Sequence, residues 1–315
     1  MKSLSLAALC LLAPAGAILA QSQLIESDFA SRLVTRPVPY AVLLPDNFSK
    51  TEKPLPLLLI LHGGGGDRSE MRRRKPMIDE MWNSGKLARM VIVAPSSTPR
   101  GFYMDQKSGP EKWETLLTGP FREHIQKVYN TSKNPKENLL MGASVGGLGS
   151  LRLGFKHPER FGGLAALEPG IEPILHWKDM RPRDRWWRDD SLFEAAFGKP
   201  VDPAYWEANN PASIAKADPG KLRNSGLKIY LDAGSEDLFH LDEGTEFLHR
   251  ILYDAKITHE YHYVYGADHV GASLRARQME ALEFLSSVLN PPPPDAAAAE
   301  ARKRYAPLKA KFGVE

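Results

Sequence analysis

One serine, Ser144, lies between two glycines in the segment NLLMGASVGGLGSLRLGF, which begins at Asn138. The apolar residues before it favour a strand and those after it favour a helix, so the Gly-x-Ser-x-Gly motif predicts a strand-turn-helix. Such a sharp turn brings backbone against backbone, which the glycines allow, and it exposes the serine hydroxyl near a helix N-terminus. The alternative is a glycine-rich turn with a capping serine. The placement favours Ser144 as a nucleophile.

A serine hydroxyl needs a base to take its proton and an acid to orient that base. The predicted turn resembles that of the α/β-hydrolases, in which the acid follows the serine along the chain and the histidine comes last. The segment LKIYLDAGSEDLF offers Asp232, Glu236 and Asp237. Asp237 follows the predicted strand, in the kind of loop where sites form in open α/β sheets, so we favour it over the other two acids.

The predicted base is His269, which lies in the loop after the last apolar run, YHYVYGADHVGASL. His240 is the second choice because it lies close to the favoured acid in sequence. His259 and His262 are expected on opposite faces of a strand and do not form the H-E-x-x-H pattern of a zinc helix. The chain order therefore favours His269.

The negative oxygen that forms during acyl transfer needs two backbone N–H donors. We expect one from Val145, directly after the serine, and one from Gly64 in LHGGGGDRSE, with Gly65 as the alternate. A phosphate-binding loop is the other interpretation of these glycines. The segment lacks the Gly-Lys-Ser/Thr ending of a P-loop, and no acid is placed for a dinucleotide ribose. The sequence thus predicts neither a cofactor nor a metal.

Continuous apolar runs predict the strands that must position these residues, because strands covered on both faces lack polar alternation. The runs are VPYAVLLP, PLLLILHGGGG, ARMVIVAP, ENLLMGA, GGLAALEP, LKIYLDAGSED and HEYHYVYGADH. Apolar residues at helical spacing lie between them in GPFREHIQKVYN and GTEFLHRILYDA, and after them in QMEALEFLSSVL. This alternation predicts an α/β fold with a mostly parallel, doubly wound sheet flanked by helices on both faces.

The bulk composition narrows the class of protein. The chain has 315 residues, 43% of them hydrophobic and 25% charged, with a formal net charge of +3. This is ordinary globular composition with room for a large α/β domain. It lacks the strongly basic character of nucleic-acid-binding proteins, so we predict no nucleic-acid partner.

The first residues predict export. Lys2 precedes an apolar stretch that ends in small residues up to Ala20, as in a secretory signal peptide spanning residues 1–20. A short membrane anchor is the alternative, but the stretch is short for a span. The only cysteine, Cys10, would be removed with the signal. We therefore expect a periplasmic or extracellular protein with no stable membrane span after cleavage.

Two regions depart from the strand-helix alternation of the predicted catalytic domain, residues 21–290. Residues 171–210 are predicted to form a Trp-rich insertion, and residues 291–315 are predicted to form a Pro-rich spacer with a helical tail. Within the insertion, Trp186 and Trp187 are expected to line an acyl or sugar pocket, since aromatic faces bind flat rings. The alternative is that these tryptophans form a satellite core.

At this point the chain resembles the esterase D branch of the α/β-hydrolases, which includes feruloyl and acetylxylan esterases, S-formylglutathione hydrolases, enterobactin-type esterases and mycolyltransferases. The resemblance runs from about Tyr40 to Leu289 and is carried by LHGGGG, GASVGG, LDAGSEDLF and YGADH. It implies an α/β-hydrolase fold and supports Ser144, Asp237 and His269 as a catalytic triad. Val145 departs mildly from the family pattern. A small-residue pair is usual where LEPG stands, so Glu168 is expected to alter the acyl pocket.

The sequence thus predicts an exported serine carboxylesterase that works through an acyl-enzyme. The expected substrates are small-molecule or carbohydrate esters, such as feruloyl or acetyl esters of polysaccharide. An acyltransferase or a peptidase-like hydrolase could use the same triad. A non-catalytic binding module with the hydrolase fold is the alternative from another class.

Overall fold

The computed structural model describes residues 21–98, 102–184, 186, 188 and 190–314. The predicted signal peptide, residues 1–20, and the predicted pocket residue Trp187 lie outside the described residues.

Eight strands of the described chain form one sheet. Their bounds are β1 Gln23–Phe29, β2 Val38–Leu44, β3 Leu57–Leu61, β4 Val91–Pro95, β5 Asn138–Ala143, β6 Gly163–Leu167, β7 Lys228–Gly234 and β8 Glu260–Val264. The order across the sheet is β1-β2-β4-β3-β5-β6-β7-β8. β2 pairs antiparallel with β1 and β4, and the remaining neighbours are parallel. The mostly parallel sheet predicted from the apolar runs is confirmed.

Helices connect the parallel strands and cover the sheet. Their bounds are α1 Glu70–Asn83, α2 Trp113–Thr118, α3 Pro120–Tyr129, α4 Val145–Lys156, α5 Asp190–Phe197, α6 Pro203–Glu207, α7 Pro211–Ala217, α8 Pro219–Ser225, α9 Leu241–Asp254, α10 Ser273–Leu289 and α11 Ala296–Lys311. Among the described residues, none of the helices combines the length and the apolar character that crossing a bilayer requires.

Both faces of the sheet are buried, which explains the absence of polar alternation in the central strands. In β3, Leu57, Leu59 and Leu61 contact a core that includes apolar residues of α3, α4 and α9. The intervening Leu58 and Ile60 contact a second core formed with α1 and α10. Successive side chains of a strand point to opposite faces, so a strand between two helix layers must be apolar throughout.

The first strand, β1, has no counterpart among the predicted runs. It lies at the edge of the sheet, pairs with β2 alone, and mixes charged with apolar residues in QLIESDF. An edge strand is half exposed, so it needs no continuous apolar run. The sequence signal used for the central strands was therefore missing here.

The Trp-rich segment, residues 171–210, follows β6 and contains short 3-10 turns together with α5 and α6. Trp206 is only 2% exposed and contacts Trp177, with 5.9 Å between ring centroids. Arg152 of α4 donates from Nε to the carbonyl of Asn209, which ties this segment to the helix after β5. After α10, the four prolines at 291–294 lead to α11, in which no residue is buried.

Candidate active site

The predicted site residues follow the carboxyl ends of the parallel strands. Because those ends meet at one edge of the sheet, loops far apart in sequence come together there. The glycine loop follows β3, Ser144 follows β5, Glu168 follows β6, Asp237 follows β7 and His269 follows β8. The glycine loop, Ser144, Glu168 and His269 all line one cavity of about 420 Å³.

Ser144 occupies the turn between β5 and α4 in a strained conformation, with φ 56° and ψ −120°. Its backbone N–H donates to the carbonyl of Leu167 at 3.0 Å, and its own carbonyl accepts from Gly170 at 2.9 Å. These bonds to the neighbouring strand end hold the residue in a backbone region that non-glycine residues rarely adopt. The hydroxyl consequently stays at the cavity instead of turning into the helix.

The two glycines of the motif permit the close approach that this turn requires. A Cβ on Gly142 would lie 2.2 Å from the backbone of Gly146. A Cβ on Gly146 would lie 2.0 Å from the carbonyl oxygen of Leu61 at the end of β3. Backbone atoms cannot move aside as a flexible side chain can, so both positions need glycine.

The imidazole of His269 is hydrogen-bonded to the carboxylate of Asp237. Nδ1 of His269 lies 2.9 Å from Oδ2 of Asp237, and both side chains are buried. The other carboxylate oxygen accepts from the backbone N–H of Phe239 at 2.8 Å, which fixes the acid. An ionised carboxylate can only accept, so Nδ1 carries the ring proton and Nε2 is left as a proton acceptor.

The alternatives to this pair lie elsewhere. Asp232 is fully buried and binds Arg277, with 2.8 Å between Nε and Oδ2. Glu236 is exposed beyond the strand. His240 is also exposed, at the N-terminal boundary of α9 with φ 57°. Of the three acids, Asp237 is the one hydrogen-bonded to His269. Of the two candidate bases, His269 is the one bonded to this acid, whereas His240 is exposed.

Gly64 and Val145 both line the cavity that contains Ser144. They are direct neighbours in its wall, because a Cβ on Gly64 would lie 3.8 Å from Cγ2 of Val145. Val145 is the first residue of α4, where backbone N–H groups have no partner within the helix. Gly65, with φ 71°, lies in a neighbouring recess instead.

That recess shares part of the glycine loop with the cavity at Ser144 and has a volume of about 390 Å³. Gly64 and Val145 line both cavities. The recess is polar, since its walls include Arg36 and three consecutive hydroxyl side chains, Ser96, Ser97 and Thr98. Oγ1 of Thr98 is buried and has no hydrogen-bond partner. The main cavity carries more apolar surface, including Phe239, Val270 and Leu274.

Glu168 lies at the start of the loop after β6, with φ 37° and its side chain buried. Oε2 of Glu168 lies 2.9 Å from a guanidinium nitrogen of Arg277 and 4.0 Å from Nδ1 of His269. Burial raises the pKa of the Glu168 carboxyl to about 7, because loss of solvent disfavours the charged form more than Arg277 restores it. Glu168 therefore faces the imidazole as well as the cavity.

Arg277, which holds Glu168 and Asp232 together, was not identified from the sequence. It lies on α10 at helical spacing from the buried Ala281 and Leu285. A charged residue on an otherwise apolar helix face is a signal that could have revealed a buried ion pair.

Ligand atoms of Glu168, Asp237 and His269 all lie within 4.8 Å of one another, close enough to hold a single metal ion. Each of them already has a partner. Asp237 binds the imidazole at 2.9 Å, and Glu168 binds Arg277, whose positive charge would face any cation placed there. The arrangement suits proton transfer by a histidine better than metal coordination.

The described tryptophans of the insertion divide between core and surface. Trp177 and Trp206 contact each other, and Trp177 also contacts Phe193, with 5.2 Å between centroids. Trp186 is 59% exposed and stacks on Phe239, with 5.9 Å between centroids. Phe239 in turn meets the imidazole of His269 edge-on at 4.7 Å. Trp186 is not among the residues that line the cavity, but it stacks on Phe239, which does line it and contacts His269.

Residues 31–282 match the sequence model of the Esterase family. The chain belongs to the Esterase family. It is 28% identical over 204 residues to the esterase Rv1288 of Mycobacterium tuberculosis, covering 62% of this chain and 42% of that protein. It is 25% identical over 172 residues to S-formylglutathione hydrolase of Bos taurus, covering 49% and 55%.

The chain spans about half the length of these curated relatives. Among solved structures, it superposes on a ferulic acid esterase with a TM-score of 0.70 and 22% identity, over 85% of this chain and 99% of the other. It also superposes on an S-formylglutathione hydrolase from Agrobacterium tumefaciens with a TM-score of 0.67 and 18% identity, over 87% and 97%. These similarities confirm the predicted α/β-hydrolase fold.

Proposed function

We propose that this protein is a serine carboxylesterase with Ser144 as nucleophile, His269 as general base and Asp237 as the acid that orients it. The observation that carries the proposal is the 2.9 Å hydrogen bond between His269 and Asp237, at the cavity that Ser144 lines from a strained turn. A base oriented in this way has Nε2 free to take the serine proton. The fold and the Esterase-family membership support the same activity.

In the proposed reaction, Oγ of Ser144 attacks the ester carbonyl carbon while its proton moves to Nε2 of His269. The carbonyl oxygen becomes negative and accepts hydrogen bonds from the N–H groups of Gly64 and Val145. The carbon–oxygen bond to the alcohol then breaks, and His269 gives the proton to the departing oxygen. Water attacks the acyl-enzyme with the same base, which releases the carboxylic acid and restores Ser144.

The two cavities that share Gly64 and Val145 support a substrate with unlike halves. Phe239 and Leu274 offer apolar contacts to the acyl group, and the exposed ring of Trp186 extends this aromatic surface. Arg36 and the hydroxyl-bearing wall of the recess offer hydrogen bonds to a polar alcohol. We therefore propose aromatic or acetyl esters of a hydroxyl-rich alcohol, such as feruloyl or acetyl esters of polysaccharide.

Export is a further part of the proposal, and it rests on residues 1–20. If the segment is cleaved after Ala20, protein secreted by a bacterial host should begin at Gln21. N-terminal sequencing of the periplasmic and culture fractions tests this. An intact Met1 in protein that remains in the cytoplasm would contradict it.

A fluorophosphonate probe tests the mechanism, because it labels only an activated serine. We expect labelling at Ser144, found by peptide mapping, and none in Ser144→Ala. Absence of label from the folded wild-type protein would favour a non-catalytic binding module instead. The substrate classes would then be ranked by turnover of methyl ferulate, acetylated xylan, 4-nitrophenyl acetate and S-formylglutathione. Acyl transfer to an added acceptor alcohol would reveal an acyltransferase, and cleavage of a peptide substrate would reveal a peptidase-like hydrolase.

A further inference from the structure

Two carboxylates approach the same nitrogen of His269. Oδ2 of Asp237 lies 2.9 Å from Nδ1, and Oε2 of Glu168 lies 4.0 Å from it. The two acids come from different loops, after β7 and after β6. The mechanism proposed above uses only Asp237, so the buried carboxylate of Glu168 has no role in it.

Glu168 is held in this position by backbone and side chain together. Its N–H donates to the carbonyl of Asp232 at 2.6 Å, and its backbone adopts φ 37°, which an L-residue rarely does. Arg277 binds its carboxylate at 2.9 Å and donates from Nη1 to the carbonyl of Asp268 at 3.1 Å. Asp268 directly precedes His269, so one guanidinium links Glu168 to the loop that carries the base.

The charged groups near the imidazole are mostly acidic. The groups that face this cluster from the neighbouring elements are Asp237, Glu168, Asp232, Asp268 and Arg277, with the Glu70–Arg74 pair across the cavity. Asp232, Glu168 and Asp237 are buried beside a single buried guanidinium, so the buried acids outnumber it. The pKa of Glu168, raised to about 7 by burial, lets this carboxyl change charge in the range where an imidazole does.

We infer that Glu168 is a positioning residue and a second carboxylate partner of His269, which stabilises the imidazolium formed when His269 takes the Ser144 proton and accepts the Nδ1 hydrogen bond when Asp237 is absent. The inference rests on the proposed function for its kinetic tests. Its geometric basis is the approach of both carboxylates to Nδ1, with Arg277 fixing the second one.

The first test is the pH dependence of kcat/KM for wild type and Glu168→Gln. Near and above pH 7, where the Glu168 carboxyl is partly ionised, removing its charge should make the imidazolium less stable, so the acid limb should move to lower pH by at most about 0.5–1 unit. Glu172→Gln is the matched control, because Glu172 is equally buried and pairs with Arg188 away from the cavity. Coincident acid limbs for wild type and Glu168→Gln would overturn the inference.

The second test is a double-mutant cycle with Asp237→Ala. If Glu168 takes over the Nδ1 hydrogen bond, Glu168→Gln should lower kcat at least about tenfold more in the Asp237→Ala background than in wild type. Equal losses in the two backgrounds would mean that Glu168 contributes only to the fold.

A third measurement separates this inference from the proposed esterase activity and from misfolding. The midpoint of the His269 imidazole titration, followed by NMR of ring C–H protons, needs no turnover. Glu168→Asp keeps the negative charge beside Arg277 but moves the carboxylate away from His269. It should therefore lower the titration midpoint less than Glu168→Gln does. If Glu168→Gln fails to fold, Glu168→Asp takes its place in this measurement. A midpoint that is the same in wild type and in every folded Glu168 variant would overturn the inference even in an active esterase, whereas a shifted midpoint would support it even if no ester is hydrolysed.

Discussion

The backbone N–H of Ser97 donates a hydrogen bond of 2.9 Å to Nε2 of His62, and this bond determines which tautomer the ring adopts. Because Nε2 accepts, Nδ1 carries the proton and donates to the carbonyl of Gly63 at 2.7 Å. The imidazole therefore joins the loop after β4 to the glycine loop that contains Gly64. Burial lowers the pKa of His62, which keeps the ring neutral as this bonding requires.

Replacing His62 should change how stability depends on pH. Folded His62 resists protonation, while the unfolded chain takes up a proton near pH 6.5, so the unfolded state binds more protons as the pH falls below that value. His62 should thus cost stability at low pH. The difference in unfolding free energy between wild type and His62→Gln, from urea titrations between pH 5 and 8, should shrink as the pH falls. His176→Gln, at an exposed site, is the control. A difference that stays constant with pH would contradict the prediction.

Ser144→Ala should lower kcat by about 10⁵- to 10⁶-fold, the scale of loss when a serine nucleophile is removed. Ser144→Gly should lose as much activity but gain stability over Ser144→Ala, because glycine tolerates φ 56° and alanine does not. The strain relieved is on the order of 1 kcal/mol. Stopped-flow or steady-state turnover and thermal unfolding measure the two effects.

Ser150→Ala is the control for Ser144, since it removes a hydroxyl from α4, the helix that follows Ser144. That hydroxyl donates to the carbonyl of Gly146 and does not line the cavity. We expect a stability loss of about 1 kcal/mol and near-normal turnover in Ser150→Ala. Ester turnover retained by purified Ser144→Ala would contradict the mechanism.

Asp237 and Asp232, both of which the sequence offers as the triad acid, should respond differently to replacement by asparagine. Asp237→Asn should fold normally and lose about 10⁴-fold in kcat, because an amide favours the wrong imidazole tautomer. Asp232→Asn should instead lose roughly 3–5 kcal/mol of stability, since it breaks a fully buried ion pair with Arg277. Circular dichroism melts and kcat, measured on both variants, separate the two roles. The reverse pattern would identify Asp232 as the acid.

This contrast shows what the sequence could predict. The Gly-x-Ser-x-Gly turn, the loop position of His269 and the apolar strands follow from local patterns, because turn chemistry and burial act over a few residues. The three acids lie within six residues, and their roles depend on Arg277, which is 45 residues from Asp232. The approach of Glu168 to His269 likewise depends on how two loops meet across the sheet, which no single segment encodes.

The contribution of Glu168 to the free energy of unfolding should change with pH in the opposite direction to that of His62. The pKa of Glu168, about 7 in the folded protein against 4.5 for the free side chain, means that the folded state holds the proton more tightly. Its stabilising contribution is therefore complete below pH 4.5 and is lost as the pH rises through 7. Glu168→Gln remains neutral, so its stability relative to wild type should improve over that interval, by at most about 3 kcal/mol. Denaturant titrations across this range check the sign, and a relative stability that falls with rising pH would refute it.

Trp186→Ala should weaken binding of aromatic esters with little effect on the fold. The ring is 59% exposed and contacts Phe239, which meets His269 at the cavity. Loss of one aromatic contact is worth about 0.5–1.5 kcal/mol, which predicts a KM for aryl esters about two- to tenfold higher. Turnover of acetyl esters and the thermal midpoint should stay close to wild type.

Trp177→Ala provides the contrast within the same segment. Trp177 contacts Phe193 and the buried Trp206, so its removal should lower the thermal midpoint by several degrees and reduce turnover of every substrate alike. If Trp186→Ala instead behaves like Trp177→Ala, the exposed ring supports the structure of the segment and does not select the substrate. The deciding measurement is the ratio of kcat/KM for methyl ferulate to that for 4-nitrophenyl acetate, because a change confined to the pocket alters this ratio and a general loss of folded protein leaves it unchanged.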